Sequence, residues 1–225
     1  MDEQIQMLEK AAKLLAVLDE KVVFIGGATV PLYLDKVSAA DARPTKDVDC
    51  VVNIIPLTKY YLLEEKLRQI GLEQHKGNII CRWHYQEELI IDIMPDDDSI
   101  LGFSNPWYKF GIKKSIIHKL PSGQKIEIFP VSYLLASKIE AFNSRGNHNF
   151  YTSHDVEDIV LLLDGCPYLE NKIQQADKKV KNFIKEWFKT HLEDLREIAP
   201  SQLSFPAKNA GREQLILSLI ERLAL

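Results

Sequence analysis

The chain has 225 residues, a formal net charge of −4, 46% hydrophobic residues and 27% charged residues. This composition is typical of a globular protein and excludes a disordered or fibrous chain. The negative charge argues against a protein that binds nucleic acid through its overall charge, although a local basic groove remains open. No apolar run reaches the roughly 20 residues that span a bilayer.

The N-terminal residues and the cysteines indicate where the protein works. The first twenty residues are acidic at the start and interrupted by charges, which is not the pattern of a secretory or transit peptide. Cys50, Cys81 and Cys166 are odd in number and widely spaced. They fit reduced thiols better than a disulfide framework or a zinc site, so we predict a cytoplasmic protein.

Helical and extended patterns alternate along the first 130 residues. The predicted elements are helices at 3–18, 28–37 and 57–71, strands at 21–27 and 48–54, and hairpins at 78–95 and 113–129. Pro31 supports the second helix because proline is tolerated in a first turn. Gln86 and Glu87 form the predicted turn of the first hairpin. The aromatic stretch 101–111 is predicted to be a loop over the core, with base stacking as the alternative.

Helical patterns dominate after residue 131. They cover 131–145, 153–165, 168–199 and 212–225. The sequence therefore predicts an α+β fold, with a mixed sheet and flanking helices in a core at 1–130. A helical C-terminal region at 131–225 is predicted to pack on that core.

Two acidic residues stand in a predicted strand. Asp47 and Asp49 are two positions apart, so both side chains point to one face with their backbones about 6.5 to 7 Å apart. Two unit charges at that distance repel by about 2.5 kcal/mol at an effective dielectric near 20. A divalent cation such as magnesium would offset this repulsion, because hard cations prefer carboxylate oxygens.

A third acid and a glycine pair extend this candidate site. Asp92 lies in a later strand, and if that strand neighbours Asp49, three carboxylates converge where two magnesium ions fit. Such ions would activate an attacking hydroxyl and stabilise a leaving pyrophosphate. Gly26 and Gly27 allow close approach of backbone to a ligand, and the helix after them presents N–H groups to a phosphate.

A second group of charged residues follows residue 131. Lys138 and Arg145 are seven positions apart, on one face of a helix and within reach of triphosphate oxygens. Ser153 is a predicted N-cap that places Asp155 in a first helical turn. We expect Asp155 to orient Lys138 or a substrate hydroxyl, and Asp158 to hold the loop around Arg145. The alternatives are a capping role for Asp155, an exposed Lys138 and a helix C-terminal cation at Arg145.

The order of these motifs resembles that of the nucleotidyltransferase superfamily. A strand, Gly-Gly, a helix, Thr-Lys-Asp-Val-Asp at 45–49 and a later apolar-Asp-apolar strand carry the resemblance. Residues 134–165 are similar to the C-terminal signature of AbiEii-type proteins, with Ala-x-Lys, an arginine and Asp-x-x-Asp. The sequence departs from the pattern at Ala28, where many relatives carry a hydroxyl, and at His154, where an arginine is frequent.

The resemblance implies a nucleotidyltransferase that moves a nucleoside monophosphate from a triphosphate to a hydroxyl. It implies these roles: metal binding by Asp47, Asp49 and Asp92, with Asp92 as general base; phosphate binding by Gly26, Gly27, Thr29, Lys138 and Arg145; and catalytic support from Lys138 and Asp155. Mg²⁺ is the implied cofactor, as one or two ions, with Mn²⁺ as a substitute.

The implied biological role is that of a toxin in a type IV toxin–antitoxin pair. Its expected partners are a nucleoside triphosphate, an RNA acceptor such as tRNA and a cognate antitoxin, with no membrane partner. Two alternatives stay open. The acceptor is a small molecule such as an antibiotic, or the chain is a catalytically silent module that binds a nucleotide or a partner.

Overall fold

The computed structural model describes residues 3–54, 56–86, 88–102, 104–145, 149–204, 207–208 and 210–225. Glu87 of the predicted turn and Phe103 of the aromatic stretch lie outside these ranges. The chain divides into two compact units. The first contains Met1–Thr29 and Pro44–Pro130, and the second contains Val30–Arg43 and Val131–Leu225.

The first unit holds the sheet. Its elements are α1 (Glu3–Leu15), β1 (Val22–Ile25), β2 (Asp47–Val52), α2 (Leu57–Gln69), β3 (Leu72–Gln74), β4 (Arg82–Tyr85), β5 (Leu89–Pro95), α3 (Asp98–Leu101), α4 (Tyr108–Lys114), β6 (Ile116–Lys119) and β7 (Lys125–Ile128). The predicted strands and both hairpins are confirmed, and β3 is a strand that the sequence patterns did not predict.

The strands described here form one mixed sheet in the order β3-β4-β5-β2-β1-β7-β6. β2 pairs parallel with β5 and antiparallel with β1, whereas β1 pairs parallel with β7. The apolar face of α1 is buried through Leu8, Ala11, Ala12 and Leu15. The centre of the sheet is therefore made by strands that are distant in sequence, and β2 lies between β1 and β5.

Two predicted elements in the first 130 residues are wrong in detail. The predicted α-helix at 28–37 is a 3-10 helix, Gly27–Tyr33, with Pro31 in its interior, and the junction between the two units falls within it. The predicted loop at 101–111 contains most of α4. Its Gly111 lies so close to Phe129 that an added Cβ would stand 2.6 Å from the ring, which requires a glycine there.

The second unit is helical. Its elements are the 3-10 helix Ser38–Asp41, α5 (Val131–Arg145), α6 (His154–Gly165), α7 (Leu169–Gln174), α8 (Lys178–Thr190), α9 (Leu192–Gln202) and α10 (Arg212–Ala224). The helix predicted at 168–199 is three helices, because the chain leaves helical geometry before Lys178 and at His191, whose φ is −109°. In the described part of the chain, no helix has both the length and the apolar character to cross a membrane.

Arg212, the first residue of α10, connects the 3-10 helix Ser38–Asp41 to the C-terminal end of α6. Arg212 donates to Ser38 Oγ and to the carbonyl oxygen of Asp164, both at 2.6 Å, and its Nε lies 2.8 Å from Asp164 Oδ1. Gly165 is equally constrained, because an added Cβ would stand 2.4 Å from the Ser38 side chain. Residues 30–43 are thus an integral part of the helical unit.

Candidate functional site

The three predicted metal ligands lie on one face of the sheet. In the parallel pair of β2 and β5, Asp49 lies directly opposite Asp92, and Asp47 lies opposite Ile90. Since alternate residues of a strand share a face, Asp47, Asp49 and Asp92 all project to the same side. The structure therefore brings together the acids that the sequence placed in two separate strands.

Arg82 pairs with two of these acids. Its Nη2 donates to Asp47 Oδ2 at 2.7 Å and to Asp92 Oδ2 at 2.8 Å, and its Nε donates to Asp92 Oδ1 at 2.8 Å. The hydrogen bonds to Asp92, together with the charges of both acids, raise the pKa of the Arg82 guanidinium above its ordinary value. The cation that offsets the acidic repulsion in this structure is thus an arginine.

Gly26 is fitted closely against the third acid. It has a φ of +73°, and an added Cβ would stand 1.9 Å from Asp49 Oδ2. Only glycine combines this left-handed conformation with so close an approach. The backbone of the glycine turn therefore borders the face of the sheet that carries Asp47, Asp49 and Asp92.

Thr29 has a different position from the one predicted. Its side chain is fully buried, and its hydroxyl donates to the carbonyl oxygen of Gly26 at 2.9 Å. The hydroxyl is therefore engaged within the turn and not directed at a ligand. Thr29 stabilises the conformation of Gly26, and any phosphate contact at this turn falls to the backbone of Gly26 and Gly27.

The donor set fits a hard divalent cation in its chemistry. Carboxylate oxygens are the ligands that magnesium prefers. In the ranges that the structure describes, however, no three His, Cys, Asp or Glu side chains form a group already arranged to hold a metal ion. Two oxygens that share one magnesium ion lie within about 4 Å of each other, and Arg82 Nη2 now lies between Asp47 and Asp92. The three carboxylates therefore fit magnesium in their chemistry, and Arg82 occupies the space between two of them.

Two thiols close to the acids have raised pKa values. Burial, followed by the charges of Asp49 and Asp92, raises the pKa of Cys50 well above its usual range. Burial and the charge of Asp92 raise the pKa of Cys81 to about 12. Both thiols are therefore expected to be weak nucleophiles at neutral pH, because the thiolate is the reactive form.

Two histidines lie near the three acids, closer to the β3 edge of the sheet. His84 is two positions after Arg82 in β4, so it shares the face of the arginine, and its Nε2 lies 3.0 Å from His75 Nδ1. Sequence reasoning found neither Arg82 nor this pair. The available signal was the alternation of Arg82 and His84 in a strand predicted to pair with the strand of Asp92.

The second predicted group forms an ion-pair cluster in the helical unit. Lys138 of α5 lies with its Nζ 3.2 Å from Asp155 Oδ1 and 2.6 Å from Asp158 Oδ2, both on α6. Only 10% of the Lys138 side chain is exposed. This contradicts the alternative of an exposed lysine, and the pairing agrees with the expectation that Asp155 orients Lys138.

Arg145 and Asp158 differ in part from their predictions. Arg145 contacts Asp155 at 3.4 Å through Nε, and 71% of its side chain is exposed. Asp158 is buried and pairs with Lys138, and its role in holding the loop around Arg145 stays a prediction because residues 146–148 lie outside the described ranges. Ser153 is the predicted N-cap of α6, and its Oγ accepts from the N–H of Val156.

Comparison with known proteins identifies the fold. No protein-family model and no curated protein matches the sequence. Among solved structures, the chain is similar to an antigenic nucleotidyltransferase-like protein from Paracoccidioides brasiliensis, with a TM-score of 0.55 and 17% identity. The similarity covers 92% of this chain and 96% of that one. The chain therefore has a nucleotidyltransferase-like fold, a mixed sheet with flanking helices and a helical C-terminal half.

Proposed function

We propose that the chain is a magnesium-dependent nucleotidyltransferase that moves a nucleoside monophosphate from a nucleoside triphosphate to a hydroxyl acceptor in the cytoplasm. One observation carries the proposal: Asp49 and Asp92 are directly opposed on the sheet, with Asp47 on the same face and Gly26 against Asp49. The structural similarity to a nucleotidyltransferase-like protein supports the same reading.

The residues of the acidic face have distinct proposed roles. Asp47, Asp49 and Asp92 would hold one or two Mg²⁺ ions, with Mn²⁺ as a substitute, and bound metal would supply charge stabilisation to the attacking hydroxyl and the leaving pyrophosphate. Asp92 accepts the proton of the acceptor hydroxyl. The backbone N–H groups of Gly26 and Gly27 bind the terminal phosphates.

The charged cluster of the helical unit is proposed to act on the triphosphate. We assign charge neutralisation to Lys138 and Arg145, and the orientation of Lys138 to Asp155, as the sequence resemblance implies. The cluster of one lysine between two aspartates is net negative by itself, so Arg145 supplies the balancing charge. Its exposure leaves the guanidinium accessible to a ligand.

The acceptor and the biological role rest on the sequence resemblance of residues 134–165. We propose an RNA such as tRNA as the acceptor, and a role as the toxin of a toxin–antitoxin pair with a cognate antitoxin as partner. Growth arrest on induced expression of the wild type, absent in an Asp47→Ala, Asp49→Ala variant, is the expected result. Arrest by both proteins would separate any toxicity from nucleotidyl transfer.

A catalytically silent binding module is the second candidate. The observation that favours it is the pairing of Arg82 with Asp47 and Asp92, which satisfies two of the three acids without a metal ion. Such a module would bind a nucleotide or a partner through the same face and would transfer nothing.

Label transfer tests the two candidates. The purified protein is incubated with magnesium, total cellular RNA and each α-labelled nucleoside triphosphate in turn, beside the Asp47→Ala, Asp49→Ala variant. Asp19→Asn is a matched control, because Asp19 is an exposed acid of the same unit that pairs with Lys66. Label in RNA with the wild type and the control, and none with the double variant, is the expected result.

The absence of label from every reaction would redirect the search. Small hydroxyl compounds, including antibiotics, would then replace RNA as acceptors in the same assay. Calorimetric titration with the four triphosphates would distinguish an enzyme with another acceptor from a silent module, because the module binds nucleotide and transfers to no acceptor.

A further inference from the structure

Arg82 and a bound metal ion require the same oxygen atoms. The guanidinium uses one oxygen of Asp47 and both oxygens of Asp92. A magnesium ion held by these two acids would need lone pairs of the same oxygens, at about 2.1 Å. Both groups are cations, so they also repel each other. Pairing of Arg82 and metal binding therefore compete for the oxygens of Asp92 and for one oxygen of Asp47.

The arginine is fixed in place by its strand. The N–H of Arg82 donates to the carbonyl oxygen of Ile79 at 3.3 Å, and its own carbonyl accepts from the N–H of His75 at 2.9 Å. Only 22% of its side chain is exposed. Two parallel hydrogen bonds to one carboxylate form the strongest geometry available to an arginine. Arg82 therefore competes with a metal ion for the carboxylate oxygens of Asp47 and Asp92.

We infer that Arg82 gates the metal site: it holds Asp47 and Asp92 in the nucleotide-free protein and releases them when a triphosphate and a divalent cation bind together. This inference rests on the proposed function, because it assigns regulation to the same site. A triphosphate offers the guanidinium oxygens for bidentate contact, so Arg82 exchanges one partner for another. A metal ion alone offers no such replacement.

The binding of Mn²⁺, monitored by electron paramagnetic resonance, tests the gate. This measurement requires no catalytic turnover. Free Mn²⁺ is titrated with the wild type, Arg82→Met and Arg68→Met, each with and without a non-hydrolysable triphosphate analogue. Arg68 is the matched control. Its guanidinium lies over Trp83, which is next to Arg82 in β4, and it pairs with Glu64, not with the three acids.

The gate predicts a specific pattern of affinities. Without nucleotide, Arg82→Met binds Mn²⁺ at least about tenfold more tightly than the wild type, because the competing charge-assisted hydrogen bonds are gone. The analogue raises the Mn²⁺ affinity of the wild type by a larger factor than that of Arg82→Met. The Arg68→Met control behaves as the wild type.

Two results would overturn the inference in different ways. Equal Mn²⁺ affinity of the wild type and Arg82→Met in the absence of nucleotide would remove the gate and leave the proposed enzyme intact. No Mn²⁺ binding by any of the proteins, even with the analogue, would remove the metal from the proposed function and the gate with it.

A second measurement uses the folded wild-type protein. The Nε–H resonance of Arg82, assigned by its absence from the spectrum of Arg82→Lys, is expected to exchange slowly with water in the free protein. Magnesium with the analogue should accelerate this exchange severalfold, whereas magnesium alone should leave it unchanged. An exchange rate that is the same under all three conditions would contradict the release of Arg82.

Discussion

Asp49 and Asp92 occupy directly opposed positions in the parallel pair of β2 and β5. Neighbouring strands lie about 4.8 Å apart, so two ionised carboxylates at such positions repel by about 3.5 kcal/mol at an effective dielectric near 20. A sheet selected for stability alone would not place acids there. The opposed pair therefore destabilises the sheet locally unless a cation offsets the repulsion, so the proposed metal site is expected to lower the stability of the protein.

Asp49→Asn is expected to separate activity from stability. The substitution removes a proposed metal ligand, so nucleotidyl transfer should fall by about 100-fold or more. It also removes a like charge opposite Asp92, so the free energy of unfolding should stay constant or rise. Urea unfolding and the label-transfer assay measure the two quantities, with Asp19→Asn as the control that changes neither. A parallel loss of stability and activity would assign Asp49 a structural role.

Gly26→Ala tests the close approach of the turn to Asp49. Gly26 and Gly102 both have positive φ, +73° and +77°, but an added Cβ meets Asp49 at Gly26 and nothing within 4 Å at Gly102. Gly102→Ala should therefore cost only about 1 kcal/mol for its backbone conformation, and Gly26→Ala should cost measurably more. Equal losses of unfolding free energy in urea would show that Asp49 moves away freely.

Lys138 and Arg145 contact the same carboxylate, yet their removal should have very different consequences. Lys138→Met leaves Asp158 buried without its cation and Asp155 paired only with the exposed Arg145, which should cost about 3 to 5 kcal/mol of unfolding free energy. Arg145→Met removes a pair whose arginine is 71% exposed, so its cost should stay below about 1 kcal/mol. Chemical unfolding of the two variants makes the comparison.

The Lys138 result has an internal control. In an Asp155→Asn, Asp158→Asn background, Lys138→Met should cost much less than in the wild type, because the carboxylates that need the lysine are gone. Similar losses in both backgrounds would attribute the effect to packing of the lysine stem. A large loss from Arg145→Met would contradict the importance of burial for this cluster.

The three thiols should be unreactive in the native protein. All of them are free and buried. For Cys81, with a pKa of about 12, only about one molecule in ten thousand carries the thiolate at pH 8. Burial also raises the pKa of Cys50 and of Cys166. Ellman's reagent at pH 8 should detect no fast-reacting thiol before denaturation and three thiols after it, and a fast native reaction would reveal opening of the sheet or of the helical unit.

The strands of the acidic face could be predicted from the sequence, but the register of one pair could not. A turn at Gln86 and Glu87 alone would place Arg82 opposite Ile91. The connection between β4 and β5 has one residue more, and Arg82 instead lies opposite Asp92. Since a shift of one residue turns a side chain to the other face, this difference alone brings the guanidinium to the acids.

In the helical unit, too, the sequence predicts the positions of the charged residues but not all of their partners. Spacing correctly predicted that Lys138 and Arg145 share a face, because helical periodicity is local. The partner of Asp158 depends on how α6 packs against α5, and that packing is not encoded in the spacing of residues along either helix. The sequence therefore predicts which residues carry charge and where they lie along their elements, whereas the choice of partner requires the tertiary structure.

Residues 30–43 belong to the helical unit although strands of the sheet unit precede and follow them. A truncation after residue 130 would consequently separate Arg212 and Gly165 from Ser38, their partner in the N-terminal part of the chain. A fragment of residues 131–225 would expose the surface that this segment covers, and a fragment of residues 1–130 would carry the segment as a loose insertion. Inactive fragments would then report broken folding units, so the contribution of the helical half is better measured with point variants in the intact chain.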